Sequence, residues 1–372
     1  MAGHRVIGPG GYEGWRFHAG QFDGQGVGVI GELWLGWPGS GEYARRWWRY
    51  RNLPTLFRPP TASEYPAIVL TIIEDSRVLG LWERQFMPNA LHADDENLGL
   101  RVGGRSVHRD GRSIHVCIGG GASSPSPRTR GEGRGEGSDN QAGRAKSAMD
   151  QPSPYSSPWV HGEGTKTGDD VTATFTLAYD DASDIVATEI PLSRRGGQLH
   201  QWVVGRSCSK VDGEFRVHGR ELKLTGGGWH EHVYGTGPRR ECAAWCMRGR
   251  QVGPGAGWAF DLMADRREYG GAAAVCTGAI VRMDEKPSIG VAVARIAIRS
   301  AGRVAGVRYP KQLRIDSESG PLELSAGRVI GRRQWGLDVM YQSTWEDRPG
   351  IVLAQVDRWS RSGWPWMFRS GS

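Results

Sequence analysis

The sequence predicts an all-β protein built from two consecutive antiparallel β-barrels or sandwiches. Three observations support this prediction. The chain of 372 residues is rich in Gly (56) and Trp (16), and aliphatic helix-forming runs are scarce, which favours short strands and turns. Many short apolar segments follow one another, separated by turns of Gly, Asp, Ser and Pro. The length is enough for two ordinary domains, each with its own core.

The first half contains the predicted strands of the first barrel. Branched and apolar side chains predict strands at residues 27–35, 67–73 and 78–86. Residues 42–51 (EYARRWWRYR) predict a short helix or an aromatic loop. Its Arg residues with Trp47, Trp48 and Tyr50 would either meet a membrane headgroup or cap one end of the barrel, and the cap is the favoured interpretation. Residues 99–118 predict a hairpin, because Asp-Gly at 110–111 separates two strand-like runs.

An insert interrupts this pattern at residues 119–158. Ser, Pro, Gly, Arg and Glu dominate it and almost no apolar residue is available to bury, so it is predicted to be disordered. Apolar and threonine side chains then alternate over residues 171–179, as in a half-buried strand. The insert therefore joins two neighbouring strands of one domain. A boundary near residues 193–197 divides the chain into an N-terminal barrel (1–197) and a C-terminal barrel (198–372).

The second half continues in the same style. Short strand-like segments at close spacing indicate an antiparallel barrel or sandwich. They lie at residues 214–218, 221–225, 243–248, 257–263, 272–283, 291–299, 312–316, 322–324, 337–345 and 351–359.

Charge and cysteine content narrow the function classes. The net charge of +7 is spread along the chain, whereas nucleic-acid binding usually shows a clustered basic face or a known module; no nucleic acid is expected as a partner. Peripheral association with an anionic membrane surface stays open.

The N-terminus lacks the apolar core of a signal peptide and no stretch is apolar enough to span a bilayer, so a cytoplasmic protein is expected. The five cysteines fit no disulfide framework.

The stretch Gly226-Gly-Gly-Trp-His-Glu-His-Val-Tyr-Gly235 is the strongest candidate site. In a strand, Trp229, Glu231 and Val233 share one face, and His230, His232 and Tyr234 share the other. A Glu231 carboxyl between an indole and an isopropyl group would have its pKa raised by desolvation and would donate a proton near neutrality. Solvated edge residues are the ordinary alternative. The two histidines would bind a metal only with a further ligand, which the sequence does not indicate; no metal or organic cofactor is expected.

The same stretch resembles the Gly-Tyr-x-Asp-x-Asn-x-Gly signature of the bacterial carotenoid 1,2-hydratases (hydroxyneurosporene synthases). Those proteins carry a His-x-Trp about thirty residues earlier, where this chain has His200-Gln-Trp202. Residues 245–250 (WCMRGR) are similar to their Trp-x-x-x-Arg strand, and residues 12–17 (YEGWRF) to the start of their first barrel and that of the tocopherol cyclases. The resemblance is colinear over most of the chain outside the insert.

The resemblance implies two lipocalin-like barrels with an apolar cavity for a long isoprenoid. It implies acid–base roles for Glu231, Trp229, His200 and Trp202, and substrate contacts for Trp202, Trp229, Val233 and Trp245. The chain departs from the signature in three places: Asp has become Glu231, Tyr has become Trp229 and Asn has become Val233. Glu extends the carboxyl by one methylene, and an indole offers an N–H in place of a phenol proton.

These residues are consistent with acid-initiated addition of water to a carbon–carbon double bond of a hydrophobic isoprenoid. Glu231 would protonate the alkene, Trp229 and Trp202 would stabilise the carbocation, and His200 would hold or deprotonate the attacking water. Two alternatives stay open. A cyclase or isomerase of a prenylated or polyketide-derived substrate would capture the same cation internally, and a carrier would hold the hydrophobic ligand without catalysis.

Overall fold

The structure is a computed structural model. It describes residues 10–21, 26–37, 40–75, 77–94, 98–119, 171–180, 188–195, 198–204, 208–236, 245–252, 258–264, 273–282, 289–290, 294–304, 307–317, 320–332, 336–345 and 348–358. The predicted disordered insert lies outside the described residues except for Gly119, which ends a strand.

The first part of the chain forms strands and one α-helix. The helix α1 spans Gly41–Asn52. The strands are β1 Tyr12–Gly20, β2 Val27–Leu35, β3 Ala67–Glu74, β4 Arg77–Gln85, β5 Leu91–Asp94, β6 Gly99–Val102, β7 Arg105–Asp110, β8 Ser113–Gly119, β9 Thr172–Ala178, β10 Thr188–Arg195, β11 Gln198–Val204, β12 Cys208–Val217 and β13 Arg220–Gly235.

The second part contains only strands among its described residues. They are β14 Trp245–Val252, β15 Trp258–Ala264, β16 Ala273–Arg282, β17 Ile289–Gly290, β18 Ala294–Val304, β19 Val307–Ser317, β20 Gly320–Arg332, β21 Gly336–Trp345 and β22 Arg348–Arg358.

The strands belong to two antiparallel sheets that follow one another in the chain. The first has the order β4-β3-β2-β1-β13-β12-β9-β8-β7-β6-β5, with the β10–β11 hairpin added to β13. The second has the order β15-β14-β22-β21-β20-β19-β18-β16, and β15 also pairs with β16. This last pairing closes eight strands into a lipocalin-like barrel, called here the second barrel. The predicted all-β class with two antiparallel units is confirmed.

The first sheet encloses its own core. Odd-numbered residues of β1 and β2 pack with side chains from β8, β9 and β12 in one apolar cluster. A Cβ on Gly31 of β2 would meet the Ile118 side chain of β8 at 2.2 Å, which places these two strands face to face. The sheet therefore folds over its inner face, and its other face points outward.

The second barrel covers part of that outer face. Trp229, Ile30 and Ile73 of the first sheet pack with Ile330, Met340 and Leu353 of the barrel. Every residue of β1 is buried as a result, on both faces of the sheet. Polar side chains on the outer face of β1 therefore lie inside the molecule, between the two sheets.

The boundary between the two units differs from the predicted one. Strands β11 to β13, residues 198–235, belong to the first sheet, and the second barrel begins at β14. The predicted boundary falls inside a hairpin, since β10 and β11 pair with Arg195 opposite Gln198. A Gly-Gly dipeptide flanked by polar residues is typical both of a hairpin turn and of a linker between domains, so local composition does not distinguish the two. The signature stretch consequently lies in the first sheet.

Most local predictions are confirmed. The strand expected at 27–35 has these bounds, and Val171, Ala173, Phe175, Leu177 and Tyr179 are all buried. Strands β8 and β9 pair, as expected of two strands joined by an insert. The segment 99–118 contains one more strand than predicted, because a Gly-Gly turn at 103–104 precedes the turn at 111–112. No helix in the described part of the chain combines the length and apolar character needed to cross a bilayer.

Candidate functional site

A row of three charged side chains crosses the outer face of the first sheet. Arg16 of β1 lies opposite Glu32 of β2 on one side and opposite Glu231 of β13 on the other. The Arg16 guanidinium contacts Glu32 Oε1 through Nε at 3.3 Å and Nη2 at 3.2 Å. Its Nη1 lies 3.6 Å from Glu231 Oε2. All three side chains are at most 4% exposed, so each buried charge needs a partner, and Arg16 can balance only one of the two carboxyl groups.

Each carboxylate of this row accepts a hydrogen bond from an indole two residues away. Trp229 Nε1 donates to Glu231 Oε1 at 2.9 Å, and Trp34 Nε1 donates to Glu32 Oε2 at 2.9 Å. Residues i and i+2 of a strand share a face, which places donor and acceptor side by side. Gly14 makes room for Trp34, since a Cβ there would lie 2.2 Å from the indole ring.

The Trp229 ring is packed between polar groups from both sheets. His18 stacks on it with ring centroids 4.3 Å apart and an angle of 8° between the planes. The Arg250 guanidinium of β14 lies over the same ring, 4.7 Å from its centroid. Burial lowers the pKa of Arg250 to about 10, and attraction to Glu231 opposes this decrease. Arg250 is therefore a cation at neutral pH, brought to the first sheet by the second barrel.

Glu231 is buried, and one of its two oxygens makes no hydrogen bond to the described residues. It is 3% exposed, and its Oε2 has no hydrogen-bond partner among the described residues. His18 Nε2 lies 3.7 Å from Oε1. The prediction that Glu231 shares a face with Trp229 and Val233 agrees with the register of β1 and β13. Its surroundings differ from the predicted apolar ones, because guanidinium groups border the carboxyl.

Val233 lies in an apolar cluster beside the charged row. It is fully buried and packs with Tyr12, Trp34 and Ala67. This cluster continues the outer face of the sheet toward the end where α1 is attached. The site thus has a charged part around Glu231 and an adjoining apolar part around Val233.

The other predicted site residues are placed by their backbones alone. Strand β11 pairs with β13 so that Trp202 lies opposite Val233 and His200 opposite Gly235. Both positions are therefore within a few residues of Glu231 on the neighbouring strand. Trp245 opens β14 in the second barrel, opposite Ala264 and Arg358. The side chains of His200, Trp202 and Trp245 lie outside the described part of the structure.

The two histidines of the signature face the inside of the first sheet. His230 Nδ1 is 2.9 Å from the Tyr179 hydroxyl, and His232 Nε2 is 2.9 Å from Glu13 Oε1. Trp15 stacks on His232 with centroids 5.1 Å apart. Burial, assisted by positive charge that includes Arg250, lowers the pKa of His230 to about 3. Each histidine thus has its own partner, and no cluster of three metal-ligand side chains occurs in the described ranges.

Four residues of the site were missed by the sequence analysis: Arg16, His18, Glu32 and Arg250. Signals for three of them were present. Arg16 and Arg250 lie in the two short segments that resemble the hydratases, and Glu32 is a lone charge in an otherwise apolar strand. His18 carries no such signal.

Comparisons with known proteins support the fold. No protein-family model matches the chain, and no curated protein does. Among solved structures, a "putative AttH" from Nitrosomonas europaea is similar with a TM-score of 0.56 and 10% identity, over 95% of this chain and 94% of that one. At this identity the likeness establishes the fold alone.

Two further solved structures are similar at lower TM-scores. Kievitone hydratase from Nectria haematococca matches with a TM-score of 0.49 and 10% identity, over 94% of this chain and 89% of that one. CghA bound to Sch210972 matches with a TM-score of 0.48 and 11% identity, over 97% of this chain and 95% of that one. These scores are too low to support an inference about function.

Proposed function

We propose that the chain is a cofactor-independent hydratase that adds water to a carbon–carbon double bond of a hydrophobic isoprenoid, resembling the carotenoid 1,2-hydratases. The observation that carries the proposal is the Glu231 carboxyl. It is buried, held through Oε1 by the Trp229 indole, and free at Oε2 of hydrogen bonds to the described residues. A buried carboxyl held through one oxygen, with the other making no hydrogen bond, has the geometry of a proton donor.

The proton leaves Glu231 Oε2 and the alkene π pair forms the new C–H bond, which produces a tertiary carbocation. The carboxylate left on Glu231 is stabilised by the Trp229 N–H at 2.9 Å and by the Arg16 guanidinium at 3.6 Å. These groups are fixed before the reaction, so they stabilise the charge as it develops. Glu32 in turn holds Arg16, and Trp34 holds Glu32.

Water then adds to the cation, and the proton that it loses returns to the carboxylate. We assign His200 to the water and Trp202 to the cation; the pairing of their backbones on β11 with β13, the strand of Glu231, supports this assignment. A desolvated indole face stabilises a cation by about 1–2 kcal/mol. The ring of Trp229 already packs against Arg250 and His18, so its assigned role changes from cation stabilisation to holding Glu231.

The test uses an acyclic carotenoid with terminal isopropylidene groups, incubated with the pure protein in heavy-oxygen water. We expect a product heavier by one labelled water. The Glu231→Gln variant should lose turnover by about 100-fold or more, since positioned proton transfer contributes at least that much, while still binding the carotenoid.

A matched control is Glu214→Gln, which removes an exposed carboxyl from β12 and should leave turnover unchanged. An isomeric product without label would replace hydration by cyclisation or isomerisation. Carotenoid that is bound and recovered unchanged would identify a carrier. Equal turnover of Glu231→Gln and the unchanged protein would remove Glu231 from the mechanism.

A further inference from the structure

One end of the first sheet carries a surface that is both basic and apolar. It consists of α1 and the loop that follows it, residues 41–58, together with Met87, and is called here the α1 surface. Five arginines lie in this segment: Arg45, Arg46, Arg49, Arg51 and Arg58. Its one acidic residue is Glu42, which pairs with Arg45 and Arg46. With Glu64, which pairs with Arg58, the surface keeps an excess of three positive charges.

The helix is anchored by one side only. Tyr43 and Ala44 are its buried residues, and the Tyr43 hydroxyl donates to the Gly11 carbonyl. The Ser40 hydroxyl caps the helix by accepting from the Tyr43 N–H at 3.2 Å. Arg46, Arg49 and Arg51 are exposed on the remaining surface, so the helix presents cations outward from a fixed position.

The same end exposes large apolar side chains. Leu53, Leu56, Phe57 and Met87 are 46%, 71%, 37% and 48% exposed, and they are the large apolar side chains that stand exposed in the described part of the chain. The turn after Met87 is tied to this end by the hydrogen bond from Asn89 N–H to the Ser63 carbonyl, at 2.8 Å. Single exposed apolar residues scattered over a surface are ordinary, whereas several at one end of a molecule indicate an interaction surface.

We propose that the α1 surface docks onto the surface of an anionic lipid bilayer. Arginines beside exposed leucine and phenylalanine fit the boundary between charged headgroups and acyl chains. Each arginine near an anionic surface strengthens binding electrostatically, and the half-buried Trp47, Trp48 and Tyr50 lie where an interfacial aromatic belt would. An excess of positive charge beside exposed apolar side chains favours a lipid surface over nucleic acid, because nucleic acid has no apolar interior into which these side chains could insert.

The α1 surface lies at the end of the first sheet that is nearest the apolar part of the candidate site. Gly36, which directly follows the strand bearing Trp34, packs against Tyr43 of α1, and Trp37 packs against the apolar cluster of Tyr12, Trp34 and Val233. Docking would therefore present to the bilayer the end of the sheet nearest the apolar part of the candidate site. The docking itself does not depend on the proposed function.

The test is flotation of the full chain with two kinds of vesicle: phosphatidylcholine alone, and phosphatidylcholine with 30 mol% phosphatidylglycerol, a composition of about one anionic lipid in three. We expect flotation with the anionic vesicles and loss of it at high salt. The Arg49→Gln, Arg51→Gln double variant should bind about 30-fold more weakly, from about 1 kcal/mol per cation. The Leu56→Ser, Phe57→Ser double variant should weaken binding by at least about tenfold.

The matched control is the Arg303→Gln, Lys311→Gln double variant. It removes two exposed cations from the second barrel and should float like the unchanged chain. Equal loss in this control would mean that net charge acts and not the α1 surface, and would overturn the proposal. So would failure to float with anionic vesicles, or a sedimentation velocity dimer that the Leu56→Ser, Phe57→Ser variant abolishes, since a second copy would then occupy the surface. Carotenoid turnover is measured separately in detergent, where failure of docking leaves the proposed function testable.

Discussion

Substitution of His230 by Asn should make the chain less sensitive to acid. His230 is 1% exposed and its Nδ1 meets the Tyr179 hydroxyl at 2.9 Å. Burial lowers its pKa from the ordinary value of 6.5 to about 3. Asn places an amide where Nδ1 lies, so the contact with Tyr179 can persist without a titrating group.

The magnitude follows from proton binding. Above pH 6.5 the imidazole is neutral in both states. Between pH 6.5 and about 3 the unfolded chain binds a proton that the folded chain does not, so the free energy of unfolding falls as pH falls. At about 1.4 kcal/mol per pH unit, His230 accounts for about 3 kcal/mol of the decrease between pH 7.5 and 4.5, and about 4 kcal/mol by pH 3. That is a large part of an ordinary folding stability.

Urea unfolding followed by circular dichroism at pH 7.5 and pH 4.5 measures this effect. The loss of stability between the two pH values should be about 3 kcal/mol smaller in His230→Asn than in the unchanged chain. His218→Asn is the control: it removes an exposed imidazole from a turn where φ is +50°, a conformation that Asn tolerates. If His230→Asn and the unchanged chain lose the same stability on acidification, His230 does not contribute to the destabilisation by acid, and the prediction is wrong.

Two further predictions concern the charged row. Glu32→Gln removes the nearer of the two carboxyl partners of the buried Arg16 guanidinium and leaves Glu231 at 3.6 Å, so it should lower the free energy of unfolding by about 3 kcal/mol. An additive double-mutant cycle with Arg16→Gln, measured by urea unfolding, would show that the pair is not coupled. Gly14→Ala forces the Trp34 ring away from a new Cβ 2.2 Å distant and should lower stability by about 1–3 kcal/mol; a variant as stable as the unchanged chain would mean that Trp34 moves freely.

Part of the site follows from the strand period alone. Because side chains alternate along a strand, residues 229, 231 and 233 had to share a face once the stretch was assigned as a strand. The hydrogen bond from Trp229 to Glu231 is a consequence of that spacing. The roles proposed for His200, Trp202 and Trp245 stay predictions, because the structure places their backbones and not their side chains.

The rest of the site depends on pairing between distant segments. Arg16 meets Glu231 across more than two hundred residues, because β1 pairs with β13. No local pattern records such a register, since many alternative pairings would bury the same apolar alternation. The predicted boundary at residue 197 followed from local composition, and only the pairing of β11 with β13 assigns the following strands to the first sheet.

The sequence by itself determined the all-β class, most strand positions and the face shared by Trp229 and Glu231, because these depend on periodicities within a few residues. Only the tertiary structure decided that this face lies between two sheets. The second barrel covers it and brings Arg250 onto Trp229. Exposure and charge partners depend on what packs above a strand, and that is set by chain segments far away in sequence. A carboxyl predicted among apolar groups is therefore found beside the guanidinium of Arg16.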